Sequence, residues 1–135
     1  MLDKIRRKEI YLADLGRTAG SEEKGVRPVL IVQNDLGNKY SPTTIIVPIT
    51  RRIEGEYKIP THIQVEPFGK MLYKATILAE QIKVIDKQRL KYYIEELPNE
   101  YMEKVNYAMT VAIGIKEERI SEDGVWRYRI YRLWA

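Results

Sequence analysis

The stretch Gly20–Asp35, GSEEKGVRPVLIVQND, runs a polar, glycine-bounded loop straight into almost unbroken apolar sequence. A short apolar run bounded by turn residues is the pattern of a strand covered on both faces, so Val29–Gln33 reads as a central strand with Pro28 fixing its entry. Arg27 stands at that junction. A permanently charged guanidinium at the mouth of a buried strand must find an anionic partner inside the protein or wait for an anionic ligand outside it. The second option points to phosphate.

The 135 residues fit one domain, long enough to bury a core without disulfides or metal. A hydrophobic content of 44% beside 31% charged residues, with ten tyrosines, is globular rather than disordered composition. The chain has no cysteine, which removes disulfides, thiolate metal sites and cysteine nucleophiles. Its single histidine, His62, removes paired-histidine chemistry, and with no second imidazole for a proton relay it reads as structural. The N-terminal MLDKIRRKEIYLADL lacks the apolar centre of a signal peptide, and no run of about 18 apolar residues occurs, so a cytoplasmic protein with no membrane span is expected. The formal charge of +4 leans toward polyanionic partners.

Along the chain, Glu9–Asp14 alternates as a first strand behind the basic cluster Lys4, Arg6, Arg7 and Lys8, read as a solvated terminus. The connection Leu15 to Val26 is long enough to suggest a functional loop. Asn34–Pro42 is rich in turn formers. Thr43–Thr50 is a β-branched strand that Pro48 places at an edge or a bulge. A charged loop, Arg51–Pro60, leads to a short strand at Thr61–Val65. The β-rich Ala75–Ile85 is interrupted by Glu80 and Gln81. A helical turn at Asp86–Leu90 and a strand at Lys91–Glu96 precede the one long helix, Pro98–Gly114, with Met102, Val105, Met109, Ala112 and Ile113 at helical spacing. Beyond Lys116, Asp123-Gly124 reads as a hairpin turn before a stretch that interleaves Trp126, Tyr128 and Tyr131 with Arg127, Arg129 and Arg132. An amphipathic hairpin covering a sheet edge or a subunit interface is favoured there over a nucleic-acid contact. The expected domains are 1–115 and a 116–135 extension.

Phosphate-loop, dinucleotide, serine-elbow and zinc-protease patterns are all absent. A carboxylate-held metal would need the fold to assemble Asp14, Asp35 and Glu80. GSEEKGVRPVLIVQND, YSPTTIIVPIT, IPTHIQV, ILAEQIKVIDKQRL and PNEYMEKVNYAM together resemble, in order and spacing, the MazF family of toxin endoribonucleases, especially its Gram-positive branch, over roughly Arg6 to Ile115. The resemblance implies a mainly β fold, a small SH3-like twisted barrel with a C-terminal helix. It also implies a homodimer, a single-stranded RNA substrate, a cognate antitoxin as protein partner, and neither metal nor cofactor.

It further implies Arg27 and Thr50 as catalytic residues, with Ser21, Asn34, Asn38, Thr61, Glu80 and Gln81 contacting RNA. The amides and carboxylates among these suit the Watson–Crick edges of unstacked bases, although Asn34 and Asn38 equally suit turns and Thr61 a strand start. Two departures stand out. Similar proteins carry Gly-Asp where this chain has Lys8-Glu9, and Asp-Ser where it has Lys74-Ala75. The first keeps an acid and promises little consequence. The second lies near the RNA groove and bears on the recognition sequence, for which relatives suggest UACAU. The rival reading is a toxin of the same fold that binds DNA gyrase without cutting RNA.

Overall fold

The computed structural model describes residues 4–52 and 59–116. Residues 53–58 of the charged loop and the hairpin expected at Asp123-Gly124, with the aromatic and arginine residues after it, lie outside the described residues.

Among the described residues seven strands form one antiparallel sheet: β1 (Glu9–Asp14), β2 (Val26–Ile31), β3 (Thr43–Thr50), β4 (His62–Val65), β5 (Ala75–Leu78), β6 (Lys83–Asp86) and β7 (Leu90–Glu96). Their order is β4-β5-β3-β2-β1-β7, with β6 also paired to β3. The sheet does not close on itself, since among the described residues its outer strands β4 and β7 do not pair. A short helix α1 (Asp35–Tyr40) joins β2 to β3, and a longer one, α2 (Asn99–Ala112), follows β7.

Alternation distributes the apolar residues to two cores. On β2, Leu30 enters one cluster with Val47, Ile49, Ile77 and the α2 residues Met102, Val105 and Ala108. Its neighbours Val29 and Ile31 enter another with Tyr11, Ala13, Ile46, Ile85 and Leu90. Both faces of β2 are therefore covered, which is why its sequence is apolar at consecutive positions. The α2 stripe is narrower at its end than its spacing suggests, because Ile113 is 58% exposed. Gly114, at φ 80°, supplies the left-handed residue that stops the helix.

Two prolines sit differently from expectation. Pro28 lies inside β2, opposite Leu12, rather than at the strand's entry. It is tolerated because the pairing of β2 with β3 extends only to Val29, so its missing N–H falls where the second ladder has ended. Of the edge or bulge expected at Pro48, the edge is overturned: β3 pairs with β2 on one side and with β6 and β5 in succession on the other. Residues 43–46 face β6 and residues 49–50 face β5, so Pro48 occupies the gap between the two partners. A 3-10 turn at Ala79–Gln81 carries the chain across the same gap from β5 to β6. The interruption by Glu80 and Gln81 is thus a corner.

Candidate functional site

The loop between β1 and β2 is closed at its neck by backbone bonds from Leu15 N–H to the Gly25 carbonyl (2.8 Å) and from Gly25 N–H to the Gly16 carbonyl (2.9 Å). Gly25 sits at φ 77°, a conformation costly for any residue with a Cβ. Gln81, on the corner, reaches into this loop. Its Oε1 accepts from the Glu23 N–H at 2.8 Å, and its Nε2 donates to the Ser21 carbonyl at 3.2 Å. The side chain expected to read a base therefore also fixes the loop that carries Ser21, which is exposed.

That clamp places Glu23, 6% exposed, under Arg27. Arg27 Nε lies 3.0 Å from Glu23 Oε2 and donates to the Lys24 carbonyl at 2.9 Å. Of the two options open to a guanidinium at this junction, the structure realises the internal anionic partner through Nε. The Nη nitrogens make no hydrogen bond among the described residues, and the side chain is 39% exposed. A pinned Nε with an outward fork is the geometry for bidentate recognition of an anion.

The β2–β3 ladder ends at Val29 opposite Pro48, two residues short of Arg27 on one strand and of Thr50 on the other. Beyond it β3 turns to β5, where Thr50 faces Thr76. Thr50 is buried, and its Oγ1 accepts from the Arg52 N–H at 3.2 Å. Arg52 in turn places Nη2 2.7 Å from Glu23 Oε1. Arg27, Glu23, Arg52 and Thr50 are thus linked contact by contact.

Next along the corner, Glu80 accepts the Thr61 hydroxyl at 3.1 Å and holds His62 Nε2 within 2.8 and 2.9 Å of its two carboxylate oxygens. His62 thus has an acidic partner that a count of histidines did not suggest. Among the described residues no three His, Asp or Glu side chains are arranged to hold a metal ion, and Asp14, Asp35 and Glu80 are not brought together as such a group.

Asn34 and Asn38 stand at the opposite end of β2 from Arg27. Asn34 caps α1, its Oδ1 accepting from the Gly37 N–H at 2.8 Å. Asn38 is fully buried: its Oδ1 accepts from Thr44 Oγ1 (2.8 Å) and Gln33 Nε2 (3.1 Å), and its Nδ2 donates to the Gln33 carbonyl (2.9 Å). Lys87 Nζ donates to its backbone carbonyl. In this arrangement Asn38 offers no side-chain atom to a ligand.

Sequence reasoning passed over Glu23, Arg52 and Arg7. Glu23 stands four residues before Arg27, but that spacing implies contact only in a helix, and this segment is a loop. Arg7, read as part of a solvated terminus, donates Nε to the Val32 carbonyl at 2.9 Å and Nη2 to Asn106 Oδ1 at 2.5 Å, tying the terminus to β2 and α2.

Residues 6–113 match the family model described as PemK-like, MazF-like toxin of type II toxin-antitoxin system. The chain is 48% identical over 112 residues to the endoribonuclease MazF of Staphylococcus saprophyticus, covering 82% of this chain and 92% of that one. Among solved structures it resembles an endoribonuclease in complex with its cognate antitoxin from a mycobacterial species, with 26% identity, TM-score 0.70 and coverage of 84% and 99% of the two chains. MazF from Deinococcus radiodurans, at 20% identity and TM-score 0.71 over 82% and 96%, shares the fold. No helix among the described residues is long and apolar enough to cross a membrane. With its central arginine-bearing strand, its corner at Glu80-Gln81 and these matches, the chain belongs to the PemK-like, MazF-like toxins of type II toxin–antitoxin systems.

Proposed function

We propose that this protein is a sequence-specific endoribonuclease that cuts single-stranded RNA without a metal ion, restrained in the cell by a cognate antitoxin. The observation that carries the reading is Arg27: its Nε is held by Glu23 and the Lys24 carbonyl while its Nη fork is left for an anion. In the reaction the ribose 2′-oxygen attacks the adjacent phosphorus and the bond from phosphorus to the 5′-oxygen breaks. The 2′-hydroxyl proton passes to a base, and the departing 5′-oxygen takes up a proton. The products are a 2′,3′-cyclic phosphate and a 5′-hydroxyl.

Arg27 neutralises the phosphoryl oxygens as charge accumulates on them, an electrostatic task for a preorganised donor. A guanidinium carries only donors and is not the base. Thr50 orients an oxygen of the reacting phosphate by hydrogen bonding. Ser21, Glu80 and Gln81 line the path of the flanking nucleotides, and buried Thr61 holds the Glu80 carboxylate in place. Asn34 and Asn38 we assign to holding α1 against β3. Two copies of the chain form the working unit. The likeness to the mycobacterial endoribonuclease–antitoxin complex supports an antitoxin partner, which in this reading competes with RNA for the same basic path.

The test is incubation of the purified protein, beside Arg27→Ala, with mixed single-stranded RNA in EDTA, with mapping of cut positions and end groups. Cuts at one short motif bearing cyclic-phosphate ends, lost in the variant, are expected. Cleavage that requires added magnesium overturns the mechanism, and a folded protein that leaves all RNA intact returns the gyrase-binding reading.

A further inference from the structure

Arg52 has a setting that the stability of the fold does not account for. Its backbone is held on both sides, with the N–H donating to Thr50 Oγ1 at 3.2 Å and the carbonyl accepting from Thr76 Oγ1 at 2.7 Å. Its side chain is 76% exposed, yet Nη2 lies 2.7 Å from Glu23 Oε1. The other oxygen of that carboxylate, only 5% exposed, takes Arg27 Nε at 3.0 Å. Arg27 alone suffices to neutralise Glu23, so the second guanidinium leaves a net positive charge on the cluster. Ordering so exposed a side chain contributes little to folding. The preceding Arg51 is engaged elsewhere, its Cζ 3.9 Å from the Tyr73 ring centre. One buried carboxylate thus holds two guanidiniums, and the backbone N–H of Arg52 is bonded to the hydroxyl of Thr50.

We infer that Arg52 is a second substrate-binding residue of the cleavage site, gripping a backbone phosphate next to the scissile one, and that Glu23 is the positioning residue that aims both arginines. This rests on the endoribonuclease reading and extends it. Glu23 fixes Arg27 through Nε and Arg52 through one Nη2, leaving donors on each fork for phosphate oxygens. The Gln81 clamp on the Glu23 N–H holds the carboxylate in register with the corner of the sheet.

The experiment measures binding of a single-stranded RNA carrying the cut motif, made uncleavable by a 2′-deoxy sugar at the scissile nucleotide, across a range of salt concentrations. Each phosphate contact on a single strand contributes about −0.7 to the slope of log affinity against log salt. Arg52→Ala should flatten the slope by about that amount and weaken binding about tenfold, as loss of a charge-assisted contact does. Arg52→Lys should keep the slope. Glu23→Gln, which retains both arginines, should keep the slope but lower kcat more than it changes KM, and Glu23→Asp should restore part of that loss. An Arg52→Ala slope equal to that of the unaltered protein, or a Glu23→Gln protein with unchanged kcat, overturns the inference while the endoribonuclease reading stands. An unaltered protein that neither binds nor cuts RNA overturns both.

Discussion

His62 Nε2 lies 2.8 and 2.9 Å from the two carboxylate oxygens of Glu80, and the Thr61 hydroxyl donates to the same carboxylate at 3.1 Å. The pair joins β4 to the corner between β5 and β6, directly beside the Gln81 clamp on the loop between β1 and β2. Glu80→Ala removes the shared acceptor from a buried Thr61 and a largely buried His62, and it should cost about 1–3 kcal/mol. Urea unfolding measures this, with Glu80→Gln, which keeps an oxygen for Thr61, expected to cost less. Equal stability of Glu80→Ala and the unaltered protein would contradict the geometry.

Lys8 is the one non-glycine residue with positive φ among the described residues, at 87°. Its N–H donates to the Ile31 carbonyl at 2.8 Å and its carbonyl accepts from the Leu97 N–H at 3.0 Å, so the backbone cannot relax without losing both. Where similar proteins carry glycine, this chain therefore keeps a strained lysine, and the exchange has a cost that retention of the neighbouring acid hid. Lys8→Gly should be more stable than Lys8→Ala by about 1 kcal/mol, both having lost the Lys8–Glu96 ion pair. Paired denaturant melts decide it, and an alanine variant at least as stable would refute the strain.

Asn38 and Asn34 should separate by stability. Removing the fully buried Asn38 amide strands the Thr44 hydroxyl and the Gln33 carbonyl, while Gln33 Nε2 keeps only the Thr43 carbonyl, so Asn38→Ala should cost about 2–3 kcal/mol. Asn34→Ala removes a helix cap and should cost about 1 kcal/mol. Thermal or urea unfolding of the two variants checks the order. Reversal of it would mean that α1 is anchored in another way.

Tyr11 packs edge-on against Tyr93, with ring centres 5.7 Å apart, and its hydroxyl donates to Glu9 at 3.4 Å. Burial, then the negative charge and hydrogen bond of Glu9 and the neighbouring Tyr93, push its pKa from 10.0 up to about 12. A folded-state pKa raised above the unfolded one means the folded protein holds its proton more tightly. That contribution is intact below pH 10 and is lost as the pH rises through about 12. Stability should fall across that window by on the order of 2 kcal/mol, and Tyr11→Phe should abolish this component. A Tyr11→Phe protein with the same alkaline loss would assign it to other groups.

Much of the frame was legible because the pattern was local. The limits of β1 and β3 follow from β-branched alternation ending in turn residues, and α2 follows from its spacing with Gly114 at its end. What escaped depends on contacts distant in sequence. Pro48 signals a broken ladder, but only the succession of β6 and β5 along β3 shows that the break lies inside the sheet. The turn formers of Asn34–Pro42 fold as α1 because Asn34 caps it and buried Asn38 anchors it to β3. At the site, Arg27 was visible as a charge at a strand mouth. Glu23 and Arg52 were not, since a loop and a strand end carry no periodicity that would reveal three side chains meeting.

The central claim is that the RNA supplies its own nucleophile to a phosphate held by Arg27. Its most direct test is a substrate with one 2′-deoxy sugar at the mapped cut position, in EDTA, compared with the all-ribose strand. The account predicts that cutting at that position disappears while binding is retained and other sites in the strand are still cut. Cleavage at the deoxy position, with a phosphate end that is not cyclic, would require a different nucleophile and would contradict it.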